Sequence, residues 1–162
     1  MKIRVGFYLG EDSLYDKIVK WWTNSPYCHA ELIMPDGKTW ISIRPGQSDI
    51  PTQILKKEKS DYNPDLWEFV EFDITEQQRD QILEFYEMTK GCSYDWFGMI
   101  MTHILPWRVK RQGRWYCSEW VAYALRISNV LDWRNVRIYR RARLSPGWLY
   151  SICANSINST VL

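Results

Sequence analysis

The sequence predicts an α+β fold, one mostly antiparallel sheet with helices on its flanks. Three observations carry this. Apolar residues 28–34 and 38–43 flank Pro35-Asp36-Gly37, and Asp-Gly supplies the positive φ that a tight hairpin turn requires. Ser13, Thr75 and Ser145 each stand where a helix cap belongs, just before a segment of helical character. The strand-like segments outside the hairpin, 3–9 and 67–73, are short and partly alternating. The chain has 162 residues, which suits a single domain, 1–162, around one core.

In chain order, residues 3–9 read as a strand. Residues 13–22 read as a helix capped by Ser13, with Leu14, Ile18, Trp21 and Trp22 on one side, and Asn24-Ser25-Pro26 ends it. The hairpin follows. Residues 44–66 are polar, contain three prolines and a Lys-rich stretch, and read as a long excursion. Residues 67–73 are the next strand. Thr75-Glu76-Gln77-Gln78 is a capping box for a helix that runs to Lys90 and closes at Gly91. A third helix is expected from Asp95 to just before Pro106, with Asp95 as its cap. Residues 114–116 are extended and Cys117 to Ile127 helical. Residues 136–141 form a late strand, and Ser145-Pro146 opens a last short helix.

Composition narrows the function. A formal net charge of +2 is too weak to imply a nucleic-acid partner, and the run Arg134, Arg137, Arg140, Arg141, Arg143 reads as a solvated edge strand. Cys28, Cys92, Cys117 and Cys153 form no CxxC and no zinc-type spacing with histidine, so no metal or cofactor is expected. They read as reduced thiols made in a cytoplasm, without a signal peptide. No apolar run approaches the roughly 20 residues that span a bilayer. Ten tryptophans and ten tyrosines are a surplus suited to lining a groove as well as a core.

The chemistry centres on Trp115-Tyr116-Cys117-Ser118-Glu119. A thiol in the first turn of a helix sees the positive end of the helix dipole, which favours the thiolate, the form needed for cysteine acyl chemistry. The chain has two histidines from which to draw a base. His103 sits in an apolar segment and reads as structural. His29 lies on the first hairpin strand, where alternation puts it on one face with Glu31 and Ile33 and turns Cys28, Ala30 and Leu32 to the other. Two groups are placed to orient the imidazole: Glu31 on the same strand, and Ser42, which the hairpin sets near Glu31, with Arg44 near His29. The Cys117 backbone N–H, at a free helix start, suits one oxyanion donor.

Cys28-His29-Ala30-Glu31-Leu32-Ile33, then Gly91-Cys92-Ser93-Tyr94-Asp95-Trp96, then the Cys117 segment resemble the circularly permuted branch of the NlpC/P60 papain-like superfamily, the YiiX-like and lecithin retinol acyltransferase-like proteins. In that branch the histidine strand precedes the cysteine helix, as here. The likeness runs from residue 3 to residue 152 and is similar to that of short members found in tailed phages. It implies a permuted papain-like fold, a Cys117 nucleophile, His29 as general base, and Tyr94 beside the substrate. In relatives the third polar residue lies on the strand after the histidine; that register falls at Ile41, which leaves Glu31 and Ser42 as candidates. The implied activity is hydrolysis of amides, peptidoglycan stem peptides first. The alternatives are an acyl-lipid or N-acyl amino acid hydrolase or acyltransferase on the same dyad, and an inactive binding protein. Association with a virion, or release on lysis, is part of the same expectation.

Overall fold

The computed structural model describes residues 1–43, 54–59, 61–95, 114–131 and 144–162. Its strands are β1 (Lys2–Tyr8), β2 (His29–Ile33), β3 (Thr39–Ile43), β4 (Ile54–Glu58), β5 (Trp67–Asp73), β6 (Ser93–Tyr94), β7 (Arg114–Trp115) and β8 (Ser159–Val161). Its helices are α1 (Leu14–Thr23), α2 (Glu76–Thr89), α3 (Cys117–Ile127) and α4 (Pro146–Ala154), with a 3₁₀ turn at Pro64–Leu66. Among the described residues six strands form one sheet in the order β4-β3-β2-β1-β5-β8, every neighbouring pair antiparallel. The expected α+β class and the antiparallel sheet with flanking helices are both present.

Both faces of the sheet are covered. One carries Ile3, Val5, Phe7, Ala30, Leu32, Ile41, Ile43, Val70 and Phe72, in one cluster with Phe85, Trp120, Leu125 and Leu149 of the helices. The other carries a smaller group of Tyr8, Ile33, Trp40 and Trp67, with Val19 of α1. Helix α3 packs on β2, and Trp120 Nε1 donates to Thr89 Oγ1 at 2.9 Å, pinning it to α2.

Local chemistry explains the boundaries. Ser13 and Asp16 form a reciprocal capping box, as do Thr75 and Gln78. In the hairpin, Asp36 accepts from the N–H groups of Lys38 and Thr39 at 2.9 and 2.7 Å, and Gly37 takes φ +70°. Ser145 caps α4, with Pro146 in its first turn.

The structure departs from the sequence reading at four places. The 44–66 excursion contains β4, at the sheet edge, whose sequence Ile54-Leu55-Lys56-Lys57-Glu58 shows no period-two apolar pattern. Strands β6 and β8 are too short for a pattern to reveal, while β7, the parallel partner of β6, falls in the segment 114–116 read as extended. On α1 the apolar side is open: Leu14 is 74 % and Trp21 83 % exposed, and Val19 is its buried residue. The expected Asp95 helix, His103, Arg44 and the arginine-rich 136–141 strand lie outside the described residues. No described helix is long and apolar enough to cross a membrane.

Candidate functional site

Tyr116 is the extended N-cap of α3 and makes no side-chain capping bond, so Cys117 is the first helical residue. Its sulfur therefore sits at the positive end of a helix almost wholly buried along its length. Ser118 Oγ donates to the Leu144 carbonyl and ties this helix start to the residues entering α4.

His29 is the first residue of β2, paired with Tyr8 of β1, and is 2 % exposed. Its Nε2 meets Glu31 Oε1 at 3.1 Å. Neighbours two apart on a strand share a face, and the glutamate is long enough to close the gap. Nδ1 is thereby left for Cys117. Among the described residues it makes no hydrogen bond of ordinary geometry, yet ring and thiol lie close enough to perturb each other. We read this contact as charge–charge attraction, since hydrogen bonds of this kind are often long before substrate arrives. Burial pushes the His29 pKa down, but Cys117 and Glu31 outweigh it and the net shift is upward. Burial pushes the Cys117 pKa up, but His29 and the backbone N–H groups of Ala30 and Ser118 outweigh it and the net shift is downward. Each shift favours the charged form of its own group, the imidazolium of His29 and the thiolate of Cys117.

Of the two candidate orienting groups, Glu31 makes the bond. Leu32 pairs with Ile41, so one further step along the register sets Ser42 opposite Glu31. Ser42 is buried and makes no hydrogen bond to His29. Ile41 belongs to the apolar cluster on the opposite face. The second oxygen of Glu31 is held by Lys59 Nζ at 3.2 Å. Lys59 directly follows β4 inside the stretch read as an excursion, and no signal in a polar run marks one lysine among several.

Tyr94 is buried on β6, and its hydroxyl lies 2.5 Å from that of Tyr15 on α1. Burial raises both phenols, and the charge at Cys117 adds to the effect in each, so both stay neutral beside the sulfur. Tyr15 lies on the side of α1 that carries Ile18 and Trp22, and nothing in the sequence marks its hydroxyl as reaching Tyr94. Cys28 corrects the alternation argument. It precedes β2, clusters with Trp40 and Trp67, and lines the same cavity as Cys117. Burial and the nearby Asp16 carboxylate raise its pKa strongly, so it is a protonated wall residue. All four cysteines are free.

Beside the Cys117 sulfur lies a cavity of about 280 Å³, almost entirely apolar. Leu14, Tyr15, Ile18, Val19 and Trp22 of α1 form one wall, and Tyr116, Cys117, Leu144 and Pro146 another. A more open, more polar trough adjoins it, sharing Thr23 and Ser145 and lined further by Asn24, Ser25, Tyr27 and Tyr150.

No protein-family model matches the chain, and no curated protein matches it by sequence. The crystal structure of the metalloprotein YiiX from Escherichia coli O157:H7 is similar to it, with a TM-score of 0.58 at 15% identity over 98% of this chain and 94% of that one. The likeness establishes a shared fold. Among the described residues, no group of three His, Cys, Asp or Glu side chains converges as a metal site would require.

Proposed function

We propose that this chain is a cysteine hydrolase of the permuted papain-like kind, with Cys117 as nucleophile, His29 as acid–base and Glu31 as the group that orients the imidazole. One observation carries the reading: a buried Cys117–His29–Glu31 series with Cys117 in the wall of an apolar cavity. The order of elements, histidine strand first and cysteine helix last, and the fold shared with YiiX support it. The thiolate adds to a substrate carbonyl, and the imidazolium protonates the departing amine or alcohol as the C–N or C–O bond breaks. The neutral imidazole then takes a proton from water, which attacks the thioester and releases the acid and the thiol. The Cys117 backbone N–H, at the open helix start, is placed to receive the oxyanion.

The cavity favours an acyl chain over a stem peptide. An apolar cavity of about 150 Å³ takes a six-carbon ring, so one of this size takes roughly ten carbons. The adjoining trough suits a polar leaving group, and the pair of sites fits an amphiphile such as an N-acyl amino acid. The trough is also what keeps peptidoglycan amides as a second reading. A downward-shifted thiol at a cavity wall argues against an inert binding protein.

Incubation with an N-decanoyl amino acid, p-nitrophenyl decanoate and muropeptides, followed by mass spectrometry, tests this. A decanoyl adduct on Cys117, absent from Cys117→Ala, is expected. Cleavage of muropeptides alone would select the second reading, and full turnover by Cys117→Ala would end both.

A further inference from the structure

Ionisation of Cys117 creates a charge problem inside the fold. Glu31 is 1 % exposed and His29 is 2 % exposed. With a thiolate formed, this buried series holds two anions, Cys117 and Glu31, against one cation on His29. Uncompensated charge away from water is costly and is relieved by proton uptake. A second cation is present. Lys59 Nζ lies 3.2 Å from Glu31 Oε2, with 22 % of its side chain exposed. The same ammonium lies over the ring of Trp40 at 4.4 Å and over that of Trp67 at 4.3 Å. The two indoles meet edge to face with centroids 5.1 Å apart, so together they form a corner that holds the ammonium against the carboxylate. Gly6 allows this corner to form. Trp67 lies against the bare Gly6 backbone, where a Cβ would come within 3.1 Å of the ring. The backbone N–H of Lys59 bonds Lys38 O at 2.9 Å and fixes its stem.

We propose that Lys59 is a positioning residue of the Cys117 site: held in the Trp40–Trp67 corner, its ammonium offsets the charge of the buried Glu31 carboxylate and so favours a thiolate in the Cys117–His29–Glu31 series. The role rests on the hydrolase reading above, since it has meaning only where Cys117 ionises. Lys59 touches no reacting atom and acts through Glu31. Among the described residues, the titratable groups that act on the sulfur from the surrounding elements are His29 of β2, Tyr15 of α1, Tyr94 of β6 and Cys28. Both phenols and the Cys28 thiol stay neutral through the range in question. Asp16 of α1 lies beside Cys28, and Asp95 and Glu119 are buried carboxylates after β6 and on α3. Their charges are common to the wild type and the variants below.

Lys59→Met keeps a stem of similar length against the indoles and removes the charge. A cation acting on the sulfur through two intervening side chains, at intermediate effective dielectric, is worth roughly tenfold in thiolate population. The readout is the pH dependence of iodoacetamide labelling at Cys117, followed by peptide mass spectrometry. In the wild type the acid limb of the profile lies below that of an ordinary thiol. In Lys59→Met the limb moves to higher pH, and the labelling rate at a fixed pH on it falls roughly tenfold. Lys59→Arg, which restores a cation, returns the wild-type limb. If Lys59→Met does not fold, Lys59→Gln replaces it in the same measurement. A Lys59→Met profile that overlays the wild type, with only a lowered Tm, would show Lys59 to be packing alone and overturn the proposal. A wild-type profile with the ordinary thiol midpoint overturns the hydrolase reading instead, so the two failures are distinct.

Discussion

Glu31→Gln is the sharpest single perturbation of the site. The substitution keeps the side chain's length and one oxygen beside His29 Nε2, and removes the charge. In the wild type that carboxylate lies 3.1 Å from the ring, with both groups essentially excluded from water. A hydrogen bond to a charged partner contributes about 1.5–3 kcal/mol, and one pKa unit corresponds to about 1.4 kcal/mol. The His29 pKa should therefore fall, because the Glu31 charge that raises it is gone. The equilibrium between thiolate–imidazolium and thiol–imidazole should move toward the neutral pair by roughly ten- to a hundredfold. Iodoacetamide labelling of Cys117 between pH 5 and 9 reads this directly. The variant is expected to lose most of the neutral-pH rate and to regain it only near the ordinary thiol value of about 8.5. A Tm close to wild type would show that the fold survives. If Glu31→Gln labels at the wild-type rate throughout while folded, the carboxylate does not hold the imidazolium and the proposed role of Glu31 is wrong.

Further outcomes follow from the same geometry. His29→Ala should return Cys117 to ordinary thiol reactivity, read by the same labelling. With p-nitrophenyl esters of increasing length, kcat/KM should rise about fourfold per methylene, from about 0.8 kcal/mol each, and stop rising near ten carbons; a flat series would exclude the cavity as the acyl site. Thr89→Val should leave the buried Trp120 N–H unpaired and lower stability by about 1–3 kcal/mol in urea unfolding, without moving the labelling profile. Stability should also depend on pH with a definite sign. The raised His29 contributes stability that is full below its unfolded value of about 6.5 and is lost as pH rises through the folded value. The lowered Cys117 contributes stability present above its unfolded value of about 8.5 and lost as pH falls through the folded value. The two slopes are opposed, so Tm should be highest between the fall due to Cys117 at low pH and the fall due to His29 at high pH; Cys117→Ala should remove the fall at low pH.

The sequence made the hairpin, the capped helices and the Cys117 helix start legible, because each rests on local chemistry. Asp36-Gly37 forms its turn and Ser13 and Thr75 their caps whatever lies far off in the chain. His29 was legible by elimination and by its strand. The choice between Glu31 and Ser42 was not, since it depends on which side chain spans a few ångströms at a strand end. Lys59 and Tyr15 were hidden for a different reason. Each reaches the site through tertiary packing, Lys59 from just past the edge strand β4 and Tyr15 across from α1 to Tyr94. The open apolar side of α1 was visible as a pattern, but only the fold turns it into the wall of a cavity beside a sulfur.

With only two histidines in the chain, the imidazole signals of isotopically labelled protein are few enough to assign with a His103 variant. Their protonation state across pH 5–9, in the wild type and in Cys117→Ala, tests the thiolate–imidazolium pair most directly. A His29 ring still protonated at pH 7.5, which titrates at lower pH once the sulfur is removed, is the predicted result. A ring that is neutral at pH 7.5, or that titrates identically with and without the sulfur, would contradict it.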